Sequence, residues 1–458
     1  MPLIDGKKFA QEGLLQVAQH CAQAALHAPQ LTGKTQVKMQ IIAGEELKDY
    51  FSVQDAANKL GARLSGETYK AAYDMGEPPV LLLIGADVST IVEAPCRAAC
   101  PAGIDVPRYI RLIGDGKYDQ AAAVVREKVP FPSVCAYVCR APCESKCRRG
   151  TLRDRPIAIE ALKRFAMDHA GKRDIRRPSA QDTGKRVAVI GSGPAGLTAA
   201  YYLRKVCGHA VTVFEALSQP GGMMRVGIPH YRLPRELLDR EIEEIKGMGV
   251  DIKTNTRVDS LDDLFGQGFD AVLVAVGAHV GQKLPVPGAD LDGALVSMDF
   301  LRNVHLGKKV KVGQKVLVLG GGNVAFDCAR VARRLGAAEV HMACLESKDK
   351  MPASREEIEQ GMREGIVLHP SRTVTKIVGE GGHVAGVECP DVEFFEFDEE
   401  GQARVRVKKG SEQILKADTV IFAVGQRPGI PPQFGLTPGR RMTLPVDSDT
   451  LNVGREGV

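Results

Sequence analysis

Two stretches of the chain repeat one order of apolar and polar positions. In residues 185–215 (KRVAVIGSGPAGLTAAYYLRKVCGHAVTVFE), Val187, Val189 and Ile190 form a short β-branched run. That run predicts a strand buried in a parallel sheet. A glycine-rich turn follows, then apolar residues at helical spacing over 197–206. A second short strand over 211–214 is closed by Glu215. The order recurs further on, with a strand over 315–319, a Gly-Gly-Gly-Asn-Val-Ala turn, a helix over 326–335, a strand over 340–345, and Glu346. Each stretch reads as a βαβ unit.

The remaining pattern divides the chain. Residues 1–90 predict a small α/β module of unknown role, with a helix over 9–26 and strands over 37–42 and 80–84. Over 91–170, proline and cysteine punctuate short helices at 106–113, 119–127 and 157–169; a polar linker, 171–184, follows. A helix over 237–248 and a strand over 271–276 complete the first nucleotide unit. A strand-like segment ending in Ala-Val-Gly appears at 271–277 and again at 421–425, as expected where one dinucleotide domain is inserted into another. The expected layout is therefore α/β. Two Rossmann-type domains, 184–288 with 418–458 and the inserted 289–417, are preceded by a helical domain and the N-terminal module.

The turns carry chemistry. Gly191, Gly193 and Gly196, with Pro194 and Ala195 between them, form GxGxxG. The first glycine permits the tight turn, the second lets a pyrophosphate approach the backbone, and the third lets helix pack on strand. The helix N-terminus offers unpaired N–H groups and a partial positive charge to phosphate. Glu215 stands where a carboxylate accepts hydrogen bonds from ribose hydroxyls. Gly320, Gly322, Asn323, Val324, Ala325 and Glu346 repeat these roles, with Ala325 in the third glycine slot. A second glycine loop, Gly221-Gly222 with Arg225 after it, is expected to run past the flavin side of the first site. Two dinucleotides in one chain suggest FAD facing NAD(P)H, because hydride must pass between stacked rings.

With 458 residues, 44% hydrophobic and 26% charged, the composition is that of an ordinary globular protein. A net charge of +5 gives no argument for nucleic acid. The basic runs at 148–155 and 173–177 read as solvated faces or linker, with an acidic protein partner as the alternative. The first ten residues lack the apolar core of a signal peptide, and no apolar run approaches the ~20 residues that span a bilayer. A cytoplasmic location without membrane insertion is the expectation. There the 11 cysteines are not a disulfide framework. Six of them, Cys96, Cys100, Cys135, Cys139, Cys143 and Cys147, crowd into 52 residues at mostly four-residue steps. Zinc knuckles use two-residue gaps. The wider steps and the proline after Cys100 favour an iron–sulfur cluster, with zinc or no metal as alternatives.

The motifs APCRAACPAGID, VCRAPCESKCRRG, GSGPAGLTAA, GGMMRVGIPHYRLP, GGGNVAFDCARVARRLGA and MPASREEI resemble the glutamate synthase small-subunit family, which includes part of dihydropyrimidine dehydrogenase. The resemblance covers 91–458. It implies an iron–sulfur domain, an FAD domain and an inserted NAD(P)H domain. It also implies electron flow from nicotinamide through FAD to [4Fe-4S] clusters, one or two, and on to a partner subunit. Three departures stand out. Cysteines that precede the Cys96 position in two-cluster members are absent, and Lys163 stands where relatives complete a cluster with Glu or Gln. One cluster is therefore expected, with Cys100, Cys139 and Cys143 as its core by analogy and the fourth ligand open. Leu345-Glu346 replaces two arginines of NADPH-using members, which favours NADH. The chain stops before the family's ribityl-binding Asp, so it is expected to be a fragment with weakened FAD affinity. The resulting expectation is an NADH-linked iron–sulfur flavoprotein, with no acid–base catalytic side chain required. The alternatives are a redox-inactive docking subunit and a true glutamate synthase small subunit.

Overall fold

The computed structural model describes residues 37–42, 81–86, 94–171, 180–398, 403–439 and 443–458. The helix expected over 9–26 and most of the 171–184 linker lie outside the described residues. The chain divides into two compact units, Met1–Ala99 and Cys100–Val458. In the first unit, the strands Val37–Ile42 and Leu81–Ala86 pair antiparallel, and Pro95–Ala98 is a short helix carrying Cys96.

The second unit opens with a helical domain. Val106–Gly114 starts where the Asp105 side chain accepts a hydrogen bond from Arg108 N at 3.2 Å. Tyr118–Arg126 and Ile159–His169 pack against it, Pro132–Val138 packs against those two, and Tyr109, Ala121, Val125 and Ala166 are buried. Two very short helices, Pro142–Ser145 and Arg148–Leu152, follow Cys139 and Cys147.

The first sheet is four-stranded and parallel, in the order Asp251–Lys253, Ala210–Phe214, Arg186–Ile190, Ala271–Val274. Its centre is the apolar run of the first βαβ unit, with Val189 and Val213 fully buried. The second sheet is five-stranded and parallel: Val367–His369, Glu339–Ala343, Lys315–Leu319, Thr419–Phe422, Ala294–Val296. The return point differs from the expected 418. Thr419–Phe422 is a buried strand of the second sheet, so the chain crosses back only after it. An Ala-Val-Gly ending marks a strand terminus without saying to which sheet the strand belongs. The two crossings meet, because Val280–Gly281 pairs antiparallel with Gln426–Arg427. A three-stranded antiparallel sheet, Lys376–Glu380, His383–Cys389 and Gln413–Lys416, and the hairpin Val392–Phe397 with Ala403–Val407 extend the second domain. Among the described residues no helix is long and apolar enough to cross a membrane.

Buried charge joins the parts. Glu241, on the helix Arg235–Gly247, accepts hydrogen bonds from Ser133 N (2.6 Å) and Val134 N (3.3 Å) at the start of a helical-domain helix. Arg232, from the first domain, pairs with Asp327 at 2.8 Å and Glu357 at 2.7 Å in the second.

Candidate active site

The first cavity, about 630 Å³, opens at the turn after Arg186–Ile190. Gly191, Gly193, Pro194, Ala195, Glu215 and Gly222 line it. Gly191 has φ +107°, and a Cβ there would lie 2.4 Å from Ala275 O. Gly222 (φ +50°) rests its backbone on Gly193, where a Cβ would stand 2.5 Å from Gly193 Cα. The two glycine loops thus form one bare cradle beside the N-terminus of Pro194–Lys205, which suits a pyrophosphate. Glu215, 7% exposed, accepts from Ser192 N (3.0 Å) and Leu217 N (2.8 Å), so its carboxylate is fixed at the cavity wall.

Gly196, Gly221 and Arg225 lie outside this lining. Gly196 permits helix-on-turn packing, since a Cβ there would come within 2.0 Å of Gly191 O. Arg225 is buried, donates to Pro220 O and Gln219 Oε1, and pairs with Asp239, so it braces the glycine loop from behind. His279 and Arg302 line the cavity and had no motif to announce them. Gly191→Val is expected to weaken FAD binding about 5-fold to about 150-fold, from ~1–3 kcal/mol of backbone strain before any clash is counted. Fluorescence titration of FAD against the apoprotein measures it.

The second cavity, about 710 Å³, repeats the arrangement. Gly320, Gly322, Asn323, Val324 and Glu346 line it, whereas Ala325 is fully buried in the core below. Gly320 (φ +136°) faces Ala423 O as Gly191 faces Ala275 O. The Glu346 carboxylate lies over Gly321, where an added Cβ would stand 2.9 Å from Oε2. Asn323 Oδ1 accepts from Ser354 N at 2.8 Å, and Ala353 N donates to Gly321 O at 3.1 Å, so the MPAS loop is tied to the turn. Arg140 also lines this cavity and donates to Pro352 O at 2.9 Å. It follows Cys139 directly in the chain and had no motif of the nucleotide site to announce it.

The cysteines gather in the helical domain. Tyr109, 1% exposed, donates to Ile159 O at 3.1 Å. Burial, then the charges of Cys143, Cys135, Cys100 and Cys139, push its hydroxyl far up. All four thiols thus act electrostatically on one side chain. Ala141 N donates to Cys139 Sγ at 3.3 Å, and Lys163 Nζ lies 3.2 Å from Cys135 Sγ. A hydrogen bond from Cys135, opposed by burial and helped by the Lys163 charge and the Ala141 N–H, brings the Cys139 thiol down to about 5. Burial and the Cys139 charge push Cys143 up to about 11. Cys147 stands at the N-terminal boundary of Arg148–Leu152. Among the described residues no three His, Cys, Asp or Glu side chains converge as they would around a single ion. The donor set, four thiols acting on one tyrosine with an N–H on Cys139 and an ammonium on Cys135, has the chemistry to hold an iron–sulfur cluster.

Residues 185–455 match the pyridine nucleotide-disulphide oxidoreductase family. Residues 89–175 match dihydropyrimidine dehydrogenase domain II, 4Fe-4S cluster. The glutamate synthase [NADPH] small chain of Escherichia coli is 33% identical over 73% of this chain and 74% of its own. The chain belongs to this glutamate synthase small-chain-like family of pyridine nucleotide oxidoreductases. The NAD-dependent dihydropyrimidine dehydrogenase subunit PreT of E. coli is 36% identical over 73% of the chain and 77% of its own length. The NADP(+)-dependent formate dehydrogenase subunit beta of Moorella thermoacetica is 40% identical over 82% of the chain, which spans 57% of that relative's length. As a member of the family the protein is an oxidoreductase that binds FAD, a pyridine nucleotide and a [4Fe-4S] cluster.

Proposed function

We propose that the protein oxidises NADH at the second cavity and passes the electrons through FAD in the first cavity to a cluster held by Cys100, Cys135, Cys139 and Cys143. From there they leave to a partner subunit. The observation that carries this reading is the docking of the cysteine domain on both nucleotide domains, through Glu241 on one side and Arg140 on the other. FAD, when bound, converts a two-electron hydride into the single electrons that a cluster carries. The chain's own residues orient and stabilise. The glycine cradles receive pyrophosphates, Glu215 and Glu346 hold riboses, and the paired crossings Val280–Gly281 and Gln426–Arg427 keep the two cavities in register. The names of the relatives as subunits support transfer to a partner protein.

Preference for NADH rests on Glu346. Its carboxylate accepts hydrogen bonds from the 2′- and 3′-hydroxyls and repels a 2′-phosphate. Such a mismatch costs on the order of 2–4 kcal/mol, or roughly 30- to 1000-fold. Lys348 and Lys350, on the following turn, bring the expectation to the lower half of that range. Arg372, also in the cavity wall, is engaged by Asp391 at 3.1 Å and Gln413 at 3.1 Å. Flavin reduction at limiting nucleotide is expected to be faster with NADH than with NADPH. Leu345→Arg with Glu346→Arg is expected to reverse the order. Equal rates in the parent protein would contradict the assignment of Glu346.

The competing reading is a redox-inactive docking subunit. An ultraviolet–visible spectrum of anaerobically purified protein separates the two. Flavin bands with a broad iron–sulfur shoulder support the oxidoreductase, and a colourless folded protein supports the docking subunit.

A further inference from the structure

Lys163 occupies an unusual place for a lysine. It is 5% exposed, on the inner face of Ile159–His169, and its ammonium lies 3.2 Å from Cys135 Sγ. Burial works against its charge, and the Cys135 and Cys139 sulfurs are the groups that offset it. A buried ammonium is tolerated only with a compensating partner. Here the partners are sulfurs. Glu160, three residues before it on the same helix, donates its backbone N–H to Glu144 Oε1 at 2.8 Å, and burial with the Cys139 charge pushes its carboxyl up to about 7. Glu144 and Glu356 face Glu160 in turn.

We propose that Lys163 is the internal counter-cation of the cluster, a positioning residue that raises the cluster's reduction potential by holding a fixed positive charge against the sulfurs of Cys135 and Cys139. This rests on the cluster reading above. A four-thiolate cluster is anionic, and one-electron reduction adds a further negative charge. Net charge and hydrogen bonds to the sulfurs are among the protein's main controls on cluster potential. An ammonium in a low-dielectric interior interacts far more strongly with that added charge than a surface lysine would. Lys163 thus makes the reduced cluster easier to form and eases electron transfer from flavin. Its chemistry is electrostatic: it forms no bond to iron and gives up no proton.

The test compares parent protein, Lys163→Met, Lys163→Gln and Lys163→Arg, each reconstituted with iron and sulfide. Iron content and a potentiometric titration followed by electron paramagnetic resonance are the readouts. Lys163→Met and Lys163→Gln are expected to shift the oxidised-to-reduced ratio at fixed potential by about tenfold or more toward oxidised, which is about 59 mV for one electron. Lys163→Arg is expected to keep most of the parent ratio, and whichever neutral variant loads iron serves for the comparison. Neutral variants titrating with the parent would overturn the proposal, as would Lys163→Arg shifting as far as they do. Parent protein that takes up no iron would overturn the cluster reading itself, which is a separate result.

Discussion

Cys139→Ser protein is expected to retain FAD and lose most of its iron. Cys139 is the thiol that its neighbours hold most firmly as thiolate, through the Cys135 hydrogen bond, the Lys163 charge and the Ala141 N–H. A serine hydroxyl at that position cannot supply a soft thiolate to iron. A loss of at least ~10-fold in bound iron corresponds to about 1.4 kcal/mol or more of binding. The effect extends beyond the metal. The helical domain is built from helices of four to eleven residues, and cluster binding contributes to its folding. Cys139→Ser should therefore also make this domain more sensitive to protease, while the flavin bands persist. Full iron content in the variant would remove Cys139 from the ligand set.

The second large effect concerns Arg232. It joins the two nucleotide domains by pairing with Asp327, whose side chain is 6% exposed, and with Glu357, at 8%. Arg330 shares Glu357 at 2.8 Å and continues to Glu364 at 2.8 Å. Arg232→Met removes one member of a buried network and leaves a carboxylate uncompensated, which costs roughly 3–5 kcal/mol. The deficit should depend on pH with a definite sign. Burial already pushes the Asp327 carboxyl up to about 7, opposed by Arg232. Without Arg232 it rises further, so the folded state binds its proton more tightly than the unfolded chain does. The variant's deficit is then largest at alkaline pH and narrows as pH falls toward about 7, where Asp327 becomes neutral in both proteins. Calorimetry at pH 9 and pH 6.5 measures this. A deficit independent of pH would assign the loss to packing.

Much of the fold could be read from periodicity. The two βαβ units stand out because a parallel strand buried on both faces is an uninterrupted apolar run, and the glycines beside it are forced by close backbone approach. Gly191 against Ala275 O and Gly320 against Ala423 O are two instances of one geometry. The antiparallel additions were harder to see. Ala403–Val407 alternates but Val392–Phe397 does not, and both are mostly exposed and form no deep core. Thr419–Phe422 could be recognised as a strand but was placed in the first domain, because its partners in the second sheet lie about a hundred residues away. The site divides in the same way. Residues acting through backbone shape were legible at the turns. Residues acting through tertiary approach, such as Arg302 in the first cavity and Arg140 in the second, carry no local signature. Arg225 shows the converse: it lies in a conspicuous motif, yet its guanidinium is engaged behind the cradle by Pro220 O, Gln219 and Asp239.

In the proposed path, electrons pass from pyridine nucleotide through FAD to the cysteine domain of the same chain. The most direct measurement is anaerobic addition of NADH to protein loaded with FAD and cluster, with visible absorbance and electron paramagnetic resonance recorded on the same sample. Flavin bleaching together with the signal of a reduced [4Fe-4S] cluster is expected in the parent protein, and bleaching without that signal in Cys139→Ser. Bleaching of the flavin in the parent while its loaded cluster stays oxidised would contradict the proposed path.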